Sequence, residues 1–182
     1  SIKRSRGQYV AFLDSDDLWI TSKLKKQIGY MKVNNIQVCQ TEEIWIRNNK
    51  RVNPMKKHKK RSGKIFFECL PLCIVSPSAV VIQREVFEQV GYFDERMLVC
   101  EDYDLWLRIS LRYPIYTMSE KLITKKGGHK DQLSRKYWGM DRFRIYSMIN
   151  ILKNYDVDDL KRAALCHYIS EKAKILASGA KK

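Results

Sequence analysis

Asp14, Asp16 and Asp17 stand within four residues, directly after the apolar run Tyr9-Val10-Ala11-Phe12-Leu13. Three carboxylates so close repel one another, and the cluster is costly unless a cation sits among them. Oxygen ligands of this hardness suit Mg2+ or Mn2+, ions that also grip phosphates. The plainer alternative is an acidic turn that caps the following helix, although one Asp would serve for that. A second acidic group, Glu101-Asp102-Tyr103-Asp104, opens an amphipathic stretch. Acids at that place complement a helix dipole. The chemical alternative is a general base on a rigid element, with Leu98-Val99-Cys100 in front to desolvate it and raise its pKa. The third group is Gly127-Gly128-His129, followed by Asp131-Gln132. Two glycines free the backbone to close over a ligand, and a neutral imidazole can ligate a metal; an ordinary surface His is the other reading. Trp138 lies near that loop and is kept as a ring on which a sugar could stack, although tryptophans more often serve a core.

The elements that position these groups follow from pattern. Tyr9 to Leu13 reads as a buried strand of a mostly parallel sheet, so the acids fall at its carboxyl end, where open α/β sheets bind ligands. Thr21 and Ser22 are cap candidates for a helix over Lys23 to Lys32, with Leu24, Ile28 and Met31 on one face. Ile36 to Gln40 and Ile44 to Arg47 read as two short strands, and Asn48-Asn49 as a turn. Ala79 to Ile82 is a further buried strand. Arg84 to Val90 is a helix that stops at Gly91. Glu101 to Arg112 is a helix with Leu105, Ile109 and Arg112 on one face, ended by Tyr113-Pro114. Ile115 to Met118 is a short strand. Two closing helices run from Gly139 to about Lys153 and from Val157 to about Ala177, the second capped by Asp156. Strands alternating with helices indicate an α/β layered fold.

The chain has 182 residues, 45% of them apolar, enough for a core. No stretch reaches the roughly 18 uncharged apolar residues of a membrane span, and the polar N-terminus shows no secretory signal. Five cysteines, an odd number without a C-x-x-C pair, argue against a disulfide framework or zinc knuckle; all five read as small buried residues in a reducing cytosol. The net charge is +15. Nine basic residues lie between Arg47 and Lys64 with no acid among them, and a second basic stretch runs from Lys121 to Arg144. Such fields attract polyanions, or merely keep a loop solvated. No nucleic-acid-binding motif accompanies them, so a nucleic-acid partner would rest on charge alone.

Taken in order, these groups resemble the inverting family 2 glycosyltransferases of the GT-A fold. The resemblance rests on Gly7-Gln8-Tyr9-Val10-Ala11-Phe12-Leu13-Asp14-Ser15-Asp16-Asp17-Leu18-Trp19, on Lys23-Leu24 with Gln27, on Ser76-Pro77-Ser78-Ala79, on Val90-Gly91-Tyr92-Phe93-Asp94-Glu95, and on Glu101-Asp102-Tyr103-Asp104-Leu105-Trp106-Leu107-Arg108. It implies a partial GT-A fold over residues 1–144, a mostly parallel sheet flanked by helices, with a C-terminal helical extension over 145–182. It implies that Asp14 and Asp16 are the DxD carboxylates. Asp16 would touch Mn2+ or Mg2+ directly; Asp14 and Asp17 would hold ribose, sugar or metal waters. His129 would complete the metal site. Asp102 would be the catalytic base with Glu101 beside it, and Ser76 and Ser78 part of the floor facing donor and acceptor sugars. The implied donor is a nucleotide sugar, a UDP-sugar first. The implied acceptor is a saccharide or lipid-linked saccharide of cell-surface glycan or polysaccharide synthesis. The place of action would be the cytoplasm, or the cytoplasmic membrane face reached through Lys56 to Arg61. Family members begin with a nucleotide-binding half that has no counterpart here. The expectation is therefore that metal and acceptor elements are kept, nucleotide binds poorly and an apolar sheet edge is exposed. The competing reading is a non-catalytic module whose basic loop grips anionic membrane or nucleic acid.

Overall fold

The computed structural model describes residues 2–53, 55, 58–127 and 137–179. In chain order the main elements are β1 (Tyr9–Ala11), β2 (Leu18–Trp19), α1 (Lys23–Val33), β3 (Val38–Arg47), β4 (Lys50–Val52), α2 (Phe66–Cys69), β5 (Val80–Gln83), α3 (Arg84–Val90), α4 (Glu101–Arg112), β6 (Tyr116–Gly127), α5 (Met140–Asn154) and α6 (Asp159–Gly179). Together the strands form one sheet in the order β1-β5-β3-β6-β2, with β4 paired to β3.

The sheet is mixed, which corrects the expectation of a mostly parallel one. Only β3 and β6 run parallel among the described strands; β1/β5, β3/β5, β3/β4 and β2/β6 are antiparallel. The reason lies in the connections. β3 turns directly into β4 through Asn48-Asn49, both at positive φ (50° and 58°), the backbone a tight two-residue hairpin requires. The parallel β3/β6 pair instead needs a long crossover, supplied here by α2, α3 and α4.

Two strands expected to be separate, Ile36–Gln40 and Ile44–Arg47, are one. β3 runs through Thr41-Glu42-Glu43, and the pairing with β6 shifts register twice at those residues. The polar triplet reads as a break in sequence and is an irregularity in the ladder, of the kind that re-aims side chains near functional sites. β6 is likewise far longer than the strand expected at Ile115–Met118.

The core lies between this sheet and α4. Val38, Val80, Ile82, Leu105, Trp106, Leu107, Ile109 and Ile115 are fully buried. α4 buries every residue from Tyr103 to Ser110, so it is a core helix rather than one with a single inward face. Its charged pair is satisfied inside: Arg108 bridges Asp104 at 2.7 Å and donates to the carbonyls of Val90 and Tyr92. α1 buries Lys23, Gln27 and Met31, while Leu24 is exposed. The Gln27 amide donates to the carbonyls of Cys39 (2.7 Å) and Ala79 (2.9 Å), which rotates α1 away from the face its apolar spacing suggested. Ser22 precedes α1 without a side-chain cap bond. α6 is capped by Asp158, whose carboxylate accepts from the Lys161 N–H at 2.8 Å, and not by Asp156.

α3 ends at Gly91 with φ 81°, as its sequence signal predicted. α5 packs on α4, and α6 on α5. Cys39, Cys69 and Cys100 are buried and Cys73 partly so, but Cys166 is exposed. β1 stands at the sheet edge, and a cavity of about 400 Å³ lined by Val10, Phe12 and Phe93 opens beside it. Among the described residues no helix is long and apolar enough to cross a membrane.

Candidate functional site

β1 delivers the acidic turn, closed by the Asp17 N–H donating to the Asp14 carbonyl at 3.1 Å. The turn divides its carboxylates. Asp14 and Asp16 are exposed; Asp17 is buried. The short helical turn Pro77–Ala79 supports it from below. Ser78 Oγ accepts from the Asp14 N–H at 3.1 Å, and the Ser78 carbonyl accepts from the Trp19 indole at 2.9 Å. Asp17 Oδ1 accepts from the Lys126 N–H at 3.2 Å, which ties the turn to β6. Burial raises the Asp17 carboxyl above its ordinary value, against the pull of the Ser78 hydroxyl, Lys125 and the Lys126 N–H.

The second acidic group meets the first. Cys100 adopts a left-handed backbone (φ 60°, ψ 18°) and α4 starts at the next residue. A non-glycine residue in that region is strained by about 1 kcal/mol or more, which marks the place as one the surroundings hold. Asp102 Oδ1 accepts from the Tyr103 N–H at 2.7 Å, and Oδ2 faces the Cys73 thiol at 3.5 Å. Burial holds that thiol protonated by raising its pKa well above the ordinary value. Burial also raises Asp102, as does the charge of Asp14; the Tyr103 N–H, Cys73 and Lys125 oppose it. Glu101 is raised by burial and by the charges of Asp102 and Asp14. Both carboxyls are thus desolvated, although Leu98 of the preceding Leu98-Val99-Cys100 is itself exposed, and the two acidic motifs feel each other.

Asp102 opens into a cavity of about 190 Å³ whose other polar walls are Ser76, Lys125, Glu43, Lys60 and His58. Lys125 Nζ donates to Ser76 Oγ at 2.9 Å, and its charge reaches Asp17, Asp102 and Glu43. Glu43 pairs with Lys60 at 3.1 Å, both buried, and accepts from the Trp45 indole at 2.8 Å. Lys60 also donates to Gln40 Oε1 at 3.0 Å. Burial opposes the charge on both. For Glu43 the nearby Lys60 and Lys125 outweigh it and the carboxyl is lowered; for Lys60 burial prevails and the ammonium is lowered. The Trp45 and His58 rings lie 5.3 Å apart.

Of the residues singled out from sequence, Asp14, Asp16 and Asp17 therefore share one turn, on Ser78, while Ser76 and Asp102 line one cavity. Trp138 lines a different cavity with Gly139, Met140 and Leu176 and is 63% exposed. His129 lies outside the described residues. Sequence reasoning missed Glu43, Lys60, Lys125, Cys73 and His58. The Glu42-Glu43 interruption of an apolar strand was the one visible signal.

Among the described residues no group of three or more His, Cys, Asp or Glu side chains is arranged to hold a metal ion. The exposed Asp14 and Asp16 carboxylates still fit an ion such as Mg2+ or Mn2+, because such ions bind through one or two carboxylates together with substrate phosphates.

A family model for the glycosyltransferase like family 2 matches residues 2–149. The chain belongs to that family. It is 34% identical over 109 residues to the UDP-Glc:alpha-D-GlcNAc-diphosphoundecaprenol beta-1,3-glucosyltransferase of Escherichia coli, an alignment covering 60% of this chain and 41% of that protein. It is 27% identical over 160 residues to an uncharacterized glycosyltransferase of Methanocaldococcus jannaschii, covering 85% of this chain and 54% of that one. Among solved structures it resembles S. aureus TarS 1–349 in complex with UDP-GlcNAc, with a TM-score of 0.67 and 18% identity, covering 92% of this chain and 49% of that chain. This family 2 chain therefore spans about half the length of these relatives, and its fold, with the C-terminal helices α5 and α6, is similar to about half of the TarS fragment.

Proposed function

We propose that the protein transfers a sugar, with inversion, from a UDP-sugar to an acceptor hydroxyl in the synthesis of a glycan or lipid-linked saccharide. The observation that carries the reading is the Asp102 carboxyl: it opens a cavity walled by Ser76 and Lys125, its pKa is raised by burial, and it feels the charge of Asp14. A carboxylate whose pKa is raised is a stronger base toward an acceptor hydroxyl than an ordinary aspartate. Asp102 takes the acceptor hydroxyl proton. The acceptor oxygen bonds to the anomeric carbon as the bond from that carbon to the diphosphate oxygen breaks, and UDP leaves with the electron pair. Attack opposite the leaving group inverts the configuration. Asp16 and Asp14 would hold Mn2+ or Mg2+, which when bound neutralises charge on the leaving diphosphate. Ser78 positions Asp14 through its backbone, and Glu101 and Asp17 stand beside the donor.

The name of the Escherichia coli relative, a UDP-Glc-dependent glucosyltransferase acting on a diphosphoundecaprenol-linked sugar, supports a UDP-sugar donor and a lipid-linked acceptor, and the UDP-GlcNAc complex of the TarS fragment supports the same donor class. We place the reaction at the cytoplasmic membrane face, on the strength of the basic residues between Arg47 and Lys64. We also read residues 145–182 as a helical extension to the domain.

The test is UDP release from UDP-glucose and UDP-GlcNAc with Mn2+ and an acceptor, together with calorimetric titration of UDP. Asp102→Asn should lower transfer by about 10²-fold or more and keep UDP binding. Asp16→Asn should remove the Mn2+-dependent part of that binding. Transfer by Asp102→Asn at the wild-type rate would overturn the assignment of the base.

A further inference from the structure

A second and larger cavity, of about 670 Å³, lies on the other side of the wall that Ile74 forms for the Asp102 cavity. Its volume falls in the range of sites that take sizeable ligands. It is amphiphilic. Lys59 and Arg61 stand on its rim; Leu72, Ile74 and Phe67 line it; and Tyr168 of α6 closes one side. The connector alternates around the partition. Lys60 turns inward to Glu43 in the first cavity, while its neighbours Lys59 and Arg61 are exposed and face the second. Neither neighbour has a carboxylate partner in an ion pair among the described residues. Glu68 is the single acid of the lining.

We propose that this groove binds the lipid end of the acceptor: an apolar chain that carries a diphosphate, the charged head held by Lys59 and Arg61 and the first apolar units lying on Leu72, Ile74, Phe67 and Tyr168. Charge complementarity supplies the head site, since guanidinium and ammonium groups both bind phosphate strongly. Continuity supplies the register. A saccharide attached to that head crosses the Ile74 wall and brings its hydroxyl to Asp102. The proposal rests on the sugar-transfer reading. It gives α6, far from the acidic motifs in sequence, a part in choosing the acceptor.

The probe is farnesyl diphosphate, titrated calorimetrically into the protein below its micellar concentration, with farnesol and inorganic pyrophosphate as partial ligands. Farnesyl diphosphate should bind at least about tenfold tighter than either part. Arg61→Ala should weaken it about tenfold, because a charge-assisted bond is lost. The Arg61 backbone carbonyl, which accepts from Gln40 and Thr117, is untouched by that change. Tyr168→Ala should weaken it less, and Glu68→Gln should strengthen it. Unchanged affinity in both Arg61→Ala and Lys59→Ala, with unaltered melting temperatures, would overturn the head site. Farnesol binding as tightly as farnesyl diphosphate would do the same. Binding to vesicles containing phosphatidylglycerol but not to monomeric farnesyl diphosphate would make the groove a membrane patch and also sink the proposal. Transfer and farnesyl diphosphate binding, both measured on the wild type, separate the two readings. Intact farnesyl diphosphate binding without any transfer by the wild type removes the sugar-transfer reading alone, whereas transfer without that binding removes the groove alone.

Discussion

Lys23 allows a quantitative test of how the acidic turn is held. Its side chain is fully buried, its Nζ lies 4.5 Å over the Trp19 ring, and no hydrogen-bond acceptor meets it among the described residues. Burial lowers its pKa from 10.5 to about 8. The difference, 10.5 − 8, at about 1.36 kcal/mol per pH unit, corresponds to roughly 3 kcal/mol against the charged form. The ring returns part of this, on the order of 1–2 kcal/mol for a desolvated cation. Lys23→Met keeps the length and the ring contact and removes the charge. It should therefore stabilise the protein by about 1–2 kcal/mol at pH 7. The sign with pH follows from linkage. Between pH 8 and 10.5 the unfolded chain keeps a proton on Lys23 that the folded chain has released, so wild-type stability gains on that of the variant as pH rises. Urea unfolding of both proteins at pH 7 and pH 10.5 reads this directly. The variant should lead at pH 7 and lose its lead by pH 10.5. A variant less stable at pH 7, or a lead that does not shrink, would refute the reasoning and assign Lys23 an anionic partner.

Glu43→Gln leaves Lys60 buried without its charge partner and should cost about 3–5 kcal/mol, measured by thermal unfolding. Asp104→Ala should cost a similar amount by stranding Arg108 inside the core, with a lower melting temperature at unchanged pH. Lys125→Met removes a cation that opposes the upward shift of Asp102. If Asp102 is the base, the acid limb of the transfer rate should therefore move to higher pH, and Lys125→Arg should restore it. Asp102→Asn should reduce transfer by about 10²-fold or more while melting with the wild type.

What could be read from the sequence was local. The carboxyl end of an apolar strand puts Asp14, Asp16 and Asp17 on one turn whatever the rest of the sheet does, and Asp102 needs only its helix start to be placed. The direction of strand pairing depends on partners far away, and the short apolar runs carry no record of it. Tyr9–Ala11 has the all-apolar look of a buried parallel strand, yet β1 is an antiparallel edge strand against β5. Glu43 and Lys60 were illegible for a different reason. A charged side chain is usually solvated, and Lys60 sits in a run of cations, so nothing local distinguishes the one lysine that turns inward. Lys125 reads as one of several cations in the basic stretch after Met118; only the extension of β6 alongside β3 brings it beside Ser76.

The acidic turn and Asp102 are coupled through a short segment rather than through direct contact. Within Ser76-Pro77-Ser78-Ala79, Ser78 bonds the backbone of Asp14 and the indole of Trp19, Ser76 bonds Lys125, and the Ala79 carbonyl accepts from Gln27 of α1. Those four links join the turn after β1, β2, β6 and α1, and the segment itself leads into β5, which lies between β1 and β3. Lys125 then faces both Asp17 and Asp102. A shift of the segment would move the carboxylates of the turn and the Lys125 cation together, because each is tied to a different residue of the same segment. Buried polar links of this kind hold one geometry only when all are satisfied, since an unpaired group inside costs about 1–3 kcal/mol. That physical requirement explains why two serines flank a proline there. The proline fixes the backbone at the start of the turn, and the two hydroxyls point to different elements, so a rigid piece of chain sets the positions of the carboxylates and of Lys125.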